Sequence, residues 1–181
     1  MLEMAIVIIV VLLVLLPLYI TTVYNKLTKQ KLRVKQAESA IDVYLQQRFD
    51  LLPNLVNTVK GYLNYETEAF ENIAKLRTQY NETKDIKVSE ELNNQMNRML
   101  AVAENYPNLK ASEQFLELQK NLSKIESQLQ AARRLYNNDV TKYNTKISVI
   151  PYIIIAMLFG FKEEYLFQID ENAKQNIGVN L

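Results

Sequence analysis

From Met4 to Asn25 the chain reads MAIVIIVVLLVLLPLYITTVYN, a run without one charged residue. At about 1.5 Å per residue it is long enough to cross a hydrocarbon core of roughly 30 Å. Pro17 interrupts it no more than transmembrane helices commonly tolerate. A buried core helix and a cleaved signal peptide are the competing readings. A signal peptide should open on positive charge and end in small residues, whereas Glu3 precedes this run and TTVYNK follows its apolar part. Residues 1–25 are therefore expected to be a retained transmembrane anchor.

Orientation follows from the next ten residues. Lys26, Lys29, Lys31, Arg33 and Lys35 are basic, and no acid intervenes before Glu38. Positive flanks stay on the cytoplasmic side. The expected topology is single-pass, with a short N-terminus outside and everything after residue 25 in the cytoplasm. Residues 26–35 form a basic juxtamembrane segment that anionic headgroups of the lipid bilayer attract. Without those five cations and Glu3, the 21 basic and 20 acidic residues of the chain leave an acidic remainder. No nucleic acid partner is expected of such a surface.

The rest is predicted to be all-α. About half the chain is apolar, yet it holds three glycines, four prolines and no tryptophan, too few turn residues for a sheet-rich domain. Cysteine and histidine are both absent. That removes disulfides, thiol nucleophiles, Cys/His metal sites and histidine acid–base chemistry. Glycines at 61, 160 and 178 cannot build a phosphate loop. The expectation is no enzyme, no cofactor, no metal ligands and no catalytic residues.

An apolar seam passes through positions 34, 37, 41, 45, 48, 52, 55, 59, 62, 66, 69, 73, 76 and 80, with Arg48 and Glu66 as polar exceptions. Its phase survives the stretch QQRFDLLPN, which predicts one helix over about 24–82, bent near Pro53 where a backbone hydrogen bond is lost. Two helices, with Asp50 as N-cap and Pro53 in the first turn, are the alternative. Arg48, Asp50, Pro53, Asn54 and Glu66 are the bend or interface candidates, Arg48 being placed to pair with a carboxylate such as Glu66. Ser89 is expected to cap a helix ending near Tyr106, with Val88, Leu92, Met96, Met99 and Ala103 on one face. After a turn at NYPNLKAS, Ser112 caps the next helix. Phe115, Leu118, Leu122, Ile125, Leu129, Ala132, Tyr136, Val140, Tyr143 and Ile147 then make a near-heptad seam. Its long partner is the 34–82 segment, and the result is an N-terminal transmembrane helix continuing into a long up-and-down antiparallel helical bundle over 36–169.

Ile153, Ile154, Ile155, Met157, Leu158, Phe159 and Phe161 form an apolar docking segment too short to span a bilayer. It folds back on the bundle, inserts at a membrane surface or docks on a neighbouring subunit. Residues 170–181 are expected to be a mobile tail. The pair Tyr-Asn occurs at 24, 80, 136 and 143; core tyrosines whose hydroxyls reach the surface account for it. Glu90/Glu91 and Glu113/Glu117 read as solvated acids, and Arg133-Arg134 as helix-to-helix ion-pair partners.

The motifs AESAIDVYLQQRFDLLPNLVNTVKGYLNYE, AVAENYPNLKASEQFLELQKNL, ARRLYNNDVTKYNTKI and IPYIIIAMLFGFKEEYLF, following YNKL, occur in this order along nearly the whole chain. In this the sequence resembles the LemA family. The resemblance implies a single-pass, envelope-associated bacterial protein with a cytoplasmic helical bundle, in a family with one branch linked to magnetosome membranes. It implies no activity. Gln46-Gln47 stand where the family commonly has basic residues, and Asn64 where it commonly has histidine, so no role of that histidine carries over. Two functions fit: a scaffold that self-associates or organises partners at the membrane, with a homo-oligomer expected, or an accessory subunit of another membrane protein such as a protease or envelope-stress component.

Overall fold

In the computed structural model, residues 2–60, 67–103 and 105–167 are described. They form seven helices: α1 (Leu2–Asp50), α2 (Leu52–Lys60), α3 (Thr67–Thr83), α4 (Ile86–Ala103), α5 (Pro107–Lys110), α6 (Glu113–Ser148) and α7 (Tyr152–Leu158). Among the described residues there is no β-strand. Two compact units divide the chain, one of residues 1–38 and 133–181, the other of residues 39–132. The expected tail 170–181 lies outside the described residues.

In the first unit, residues 2–19 of α1 are exposed on every side of the helix. Thr21 and Thr22 sit at the end of this run without an orphan hydroxyl, because each donates to the carbonyl one turn back, Pro17 and Leu18, at 2.8 Å. Burial begins at Val23 and continues through Leu27, Gln30, Val34 and Ala37. Tyr136, Val140, Tyr143 and Ile147 are the buried stripe of α6 in the same unit.

In the second unit, Ile41, Leu45 and Phe49 of α1 are buried, followed by Leu52, Leu55 and Val59 of α2. The expected seam placed Arg48 where the structure buries Phe49. The buried positions are 41, 45, 49 and 52, so one position is displaced at the bend and the seam continues at its predicted Leu52, Leu55 and Val59. The helix does not run unbroken past Pro53: Leu51 stands outside both α1 and α2. Proline has no N–H for the Phe49 carbonyl and crowds it, so the ladder breaks one turn earlier. The Leu51 amide falls back on Arg48 at 3.2 Å, and Leu55 resumes the α pattern onto Leu51 at 3.0 Å. Asp50 is not the cap of the second helix; it ends the first.

α3 and α4 pack together across a two-residue link. Phe70, Ile73 and Tyr80 meet the predicted α4 face of Val88, Leu92, Met96, Met99 and Ala103, all buried. The cap of α4 is Asp85, whose carboxylate accepts from the Lys87 amide at 2.8 Å. Ser89, the expected cap, is a buried residue inside the helix. Lys84 ends α3 in the left-handed region at φ 52°, its amide donating to Tyr80 at 2.8 Å. Ser112 caps α6 as expected, accepting from the Phe115 amide at 3.2 Å. Of the predicted α6 seam, Ile125 alone is half-buried and the others are buried.

Candidate functional site

The most specific polar geometry lies on the last three turns of α6, where YNNDVTKYN repeats Tyr-Asn at a spacing of seven. Such a spacing returns nearly to the same face of a helix, two turns or about 10.5 Å further along. Tyr136 and Tyr143 turn inward, and Asn137 and Asn144 sit beside them, half-buried.

Each asparagine presents both a donor and an acceptor to one residue of an extended segment. Asn144 donates to the Glu164 carbonyl at 2.8 Å and accepts from the Glu164 amide at 3.0 Å. Asn137 does the same with Phe167, at 2.9 and 2.8 Å. The tyrosine hydroxyls add single bonds: Tyr143 to the Lys162 carbonyl and Tyr136 to the Tyr165 carbonyl, both at 3.0 Å. Three residues of extended chain cover about 10 Å, which matches two helical turns. The α6 repeat and the extended segment are thus commensurate, and every hydrogen bond of this clamp is to main-chain atoms. Phe167 also lies edge-on to Tyr136 at 5.8 Å, with Arg133 over its ring at 5.3 Å.

Both hydroxyls, read from the sequence as reaching the surface, donate to main-chain carbonyls in part-buried positions. Burial holds the Tyr136 phenol above its ordinary pKa, with Glu38 and Glu164 adding to the effect. Tyr143 is raised by burial and then by Glu164. In the second unit, burial and the nearby Asp42 push the Tyr80 hydroxyl up to about 12. That hydroxyl is buried and has no hydrogen-bond partner among the described residues, while its ring packs edge-on against Phe49 at 4.9 Å.

The extended segment is delivered by α7. Gly160 adopts φ 71°, Phe161 donates to the Ala156 carbonyl at 2.9 Å and Gly160 to Met157 at 3.4 Å. This is a Schellman stop, which needs a residue at ease in the left-handed region. Ile155 and Ala156 are buried, Ile153 and Phe161 half-buried, and Ile154, Met157, Leu158 and Phe159 exposed. The fourth Tyr-Asn pair contributes here, since Tyr24 stacks at 4.9 Å from Phe159 and 5.7 Å from Phe161. The predicted basic residues Lys26, Lys29, Arg33 and Lys35 lie on the same stretch of α1 as Lys31, which pairs with Glu164 at 3.6 Å.

The bend residues are brought into a separate polar network. Arg48 pairs with Glu126 of α6 and donates to Asn97 of α4 at 3.3 Å. Glu66, the expected partner, lies outside the described residues. Asp50 accepts from Arg77 at 3.0 Å and from Gln46 at 3.1 Å. Pro53 and Asn54 are exposed, Asn54 beside Asn57, Gln114 and Asn121 in a shallow surface depression. Glu90, Glu91, Glu113 and Glu117 are all exposed.

Residues 37–181 match the LemA family model. The chain belongs to the LemA family. Protein LemA of Metamycoplasma hominis is 24% identical over 161 residues, covering 86% of this chain and 74% of that protein. This LemA-family chain is also similar over a shorter stretch to Magnetosome protein MamQ 2 of Paramagnetospirillum magneticum, 29% identical over 75 residues, which is 41% of this chain and 28% of that protein. Magnetosome protein MamQ of Magnetospirillum gryphiswaldense is 27% identical over 74 residues, with 41% and 27% covered. What sequence reasoning missed in the site were Asn137 and Asn144; the seven-residue repeat of the pair Tyr-Asn was their signal.

Proposed function

We propose that this LemA-family chain is a non-catalytic scaffold, anchored in the bacterial inner membrane by residues 1–25, that self-associates and organises partners beneath it. The observation that carries the reading is α1 from Met4 to Tyr19: uncharged and exposed on all sides, in a helix long and apolar enough to cross a membrane. Apolar surface of that extent needs a lipid or protein environment. The basic residues from Lys26 to Lys35 support a cytoplasmic position for the helices after them. A chain lacking histidine and cysteine supports assembly rather than turnover. The similarity to relatives named for the magnetosome supports a membrane association.

The test is the detergent-corrected mass of the gently extracted full-length protein by light scattering, beside a version ending at Ser148. A large defined assembly that collapses on truncation while helix content persists supports self-association through the segment after Ser148. A monomer in both cases refutes it and turns the reading to an accessory subunit of another membrane protein. Orientation is tested separately with Leu2→Cys and Ser127→Cys, each the one thiol in its chain. A membrane-impermeant maleimide should label the first in intact spheroplasts and the second only after lysis; the reverse pattern would invert the topology.

A further inference from the structure

The helix α7 has two unlike faces. Ile155 and Ala156 point inward at 6% and 3% exposure, whereas Ile154, Met157, Leu158 and the preceding Ile150 are 62–82% exposed. Ile154, Met157 and Leu158, at i, i+3 and i+4, make one apolar stripe on α7, and Ile150 stands exposed in the turn just before it. The protein beneath α7 is already satisfied, so the stripe is a surface in search of an apolar neighbour.

Its height along α1 identifies that neighbour. The rings just after α7, Phe159 and Phe161, lie against Tyr24, the last residue but one of the uncharged run. Val23 and Leu27 are 3% and 0% exposed, while residues 2–19 are bare. Protein therefore starts to cover α1 between Ile20 and Val23, inside the uncharged run. From Ile20 to Lys26 is about 9 Å of helix, the depth at which interfacial helices bury their apolar faces. Lys26 on α1 and Lys162 beyond α7 are exposed, with Glu163 the exposed acid beside them. Aromatic rings at the boundary and lysines above it suit a headgroup layer.

We propose that α7 is a membrane-surface plate: the stripe Ile154, Met157 and Leu158, with Ile150 of the preceding turn, lies in the leaflet on the side of the bundle, next to the point where α1 enters it. The ligand is a phospholipid bilayer, with anionic headgroups favoured by the flanking lysines. The clamp of Asn137 and Asn144 on residues 164 and 167 holds the extended segment after α7 and so fixes α7 at that height. This proposal rests on the anchor reading above.

The chain has no tryptophan, so one introduced indole reports one position. Full-length Met157→Trp, Ile154→Trp, Leu13→Trp and Leu116→Trp proteins are placed in phosphatidylcholine–phosphatidylglycerol vesicles carrying nitroxide lipids labelled near the headgroup or deep in the chain. Helix content by circular dichroism checks each fold. The indoles at 154 and 157 should lose roughly half their emission or more to the shallow nitroxide, as expected for a helix at the boundary. Leu13→Trp should respond to the deep one, and Leu116→Trp to neither. If both α7 indoles ignore lipid nitroxides while Leu13→Trp is quenched, the plate is wrong and the anchor stands. Blue-shifted α7 emission that rises with protein concentration but is not quenched would assign the stripe to a second copy, again overturning the proposal. Failure to quench Leu13→Trp would overturn the anchor and the plate together.

Discussion

Replacing Asn144 with alanine removes two hydrogen bonds, 2.8 and 3.0 Å long, from a partly buried position. At about 1 kcal/mol net for each, the docked segment should lose about 2 kcal/mol relative to the locally open state. A tenfold change in an equilibrium corresponds to about 1.4 kcal/mol, so the opening constant should rise roughly thirtyfold. The assay is hydrogen exchange of the full-length protein in nanodiscs, read at single amides. The amides of Glu164 and Phe167 donate to asparagine oxygens, whereas no clamp acceptor faces those of Tyr165 and Leu166. The expected pattern is slow, fast, fast, slow. Asn144→Ala should accelerate Glu164 about thirtyfold, and Phe167 less, since Asn137 still holds it. Asn144→Asp keeps the acceptor for the amide but sets a carboxylate against the Glu164 carbonyl, so it should rescue nothing at neutral pH. An unchanged Glu164 rate in Asn144→Ala would refute the clamp as the source of protection, whatever happens to global stability.

Tyr80→Phe removes a buried hydroxyl that lacks a partner, and should be neutral or stabilising by about 1 kcal/mol at pH 7. Burial disfavours its phenolate, so the folded pKa stands above the unfolded value of 10; the stability this confers is intact below pH 10 and is lost as pH climbs to about 12, an order of 3 kcal/mol. Thermal unfolding measured across that window should fall more steeply in the parent than in the phenylalanine variant; equal slopes would contradict the assignment. Glu126→Gln, which neutralises the carboxylate paired with Arg48, should cost about 1–3 kcal/mol in unfolding free energy from denaturant titration, since Arg48 is 11% and Glu126 34% exposed at the side chain. Arg48→Met with Glu126→Gln should recover part of that loss. Gly160→Ala meets no atom within 4 Å, so its penalty is the left-handed backbone alone, about 1–2 kcal/mol, visible as faster exchange of the Phe161 amide.

Much of the fold is readable from sequence because it depends on period. The α6 seam, the α4 face and the cap at Ser112 are local consequences of spacing and capping, and each appears where the pattern puts it. Phe49 escapes the pattern beside the break that Pro53 imposes: it takes the buried place expected of Arg48, and the seam resumes at its predicted positions Leu52, Leu55 and Val59. Ser89 loses its role to Asp85 because α4 starts one turn earlier than its apolar face suggests. The clamp is only half legible. Tyr136 and Tyr143 read as inward-facing, but the partner of Asn137 and Asn144 is an extended segment some 20–30 residues downstream. No periodicity announces it, because the hydrogen bonds of the clamp take hold of main-chain atoms. Arg48 reads as an ion-pair candidate from its place on an apolar seam, yet Glu126 lies 78 residues away, a distance that spacing rules do not bridge.

Because the clamp's hydrogen bonds all go to main-chain atoms, the distance from Glu164 to Phe167 is a measured length, with side-chain contacts added only at its two ends. Exposed Tyr165 and Leu166 are free to change without disturbing a single hydrogen bond of the clamp. One residue added between Glu164 and Phe167, by contrast, displaces the second anchor by about 3.3 Å, more than any hydrogen bond absorbs. Descendants of this chain should drift in composition at Tyr165 and Leu166 while tolerating neither insertion nor deletion between Glu164 and Phe167.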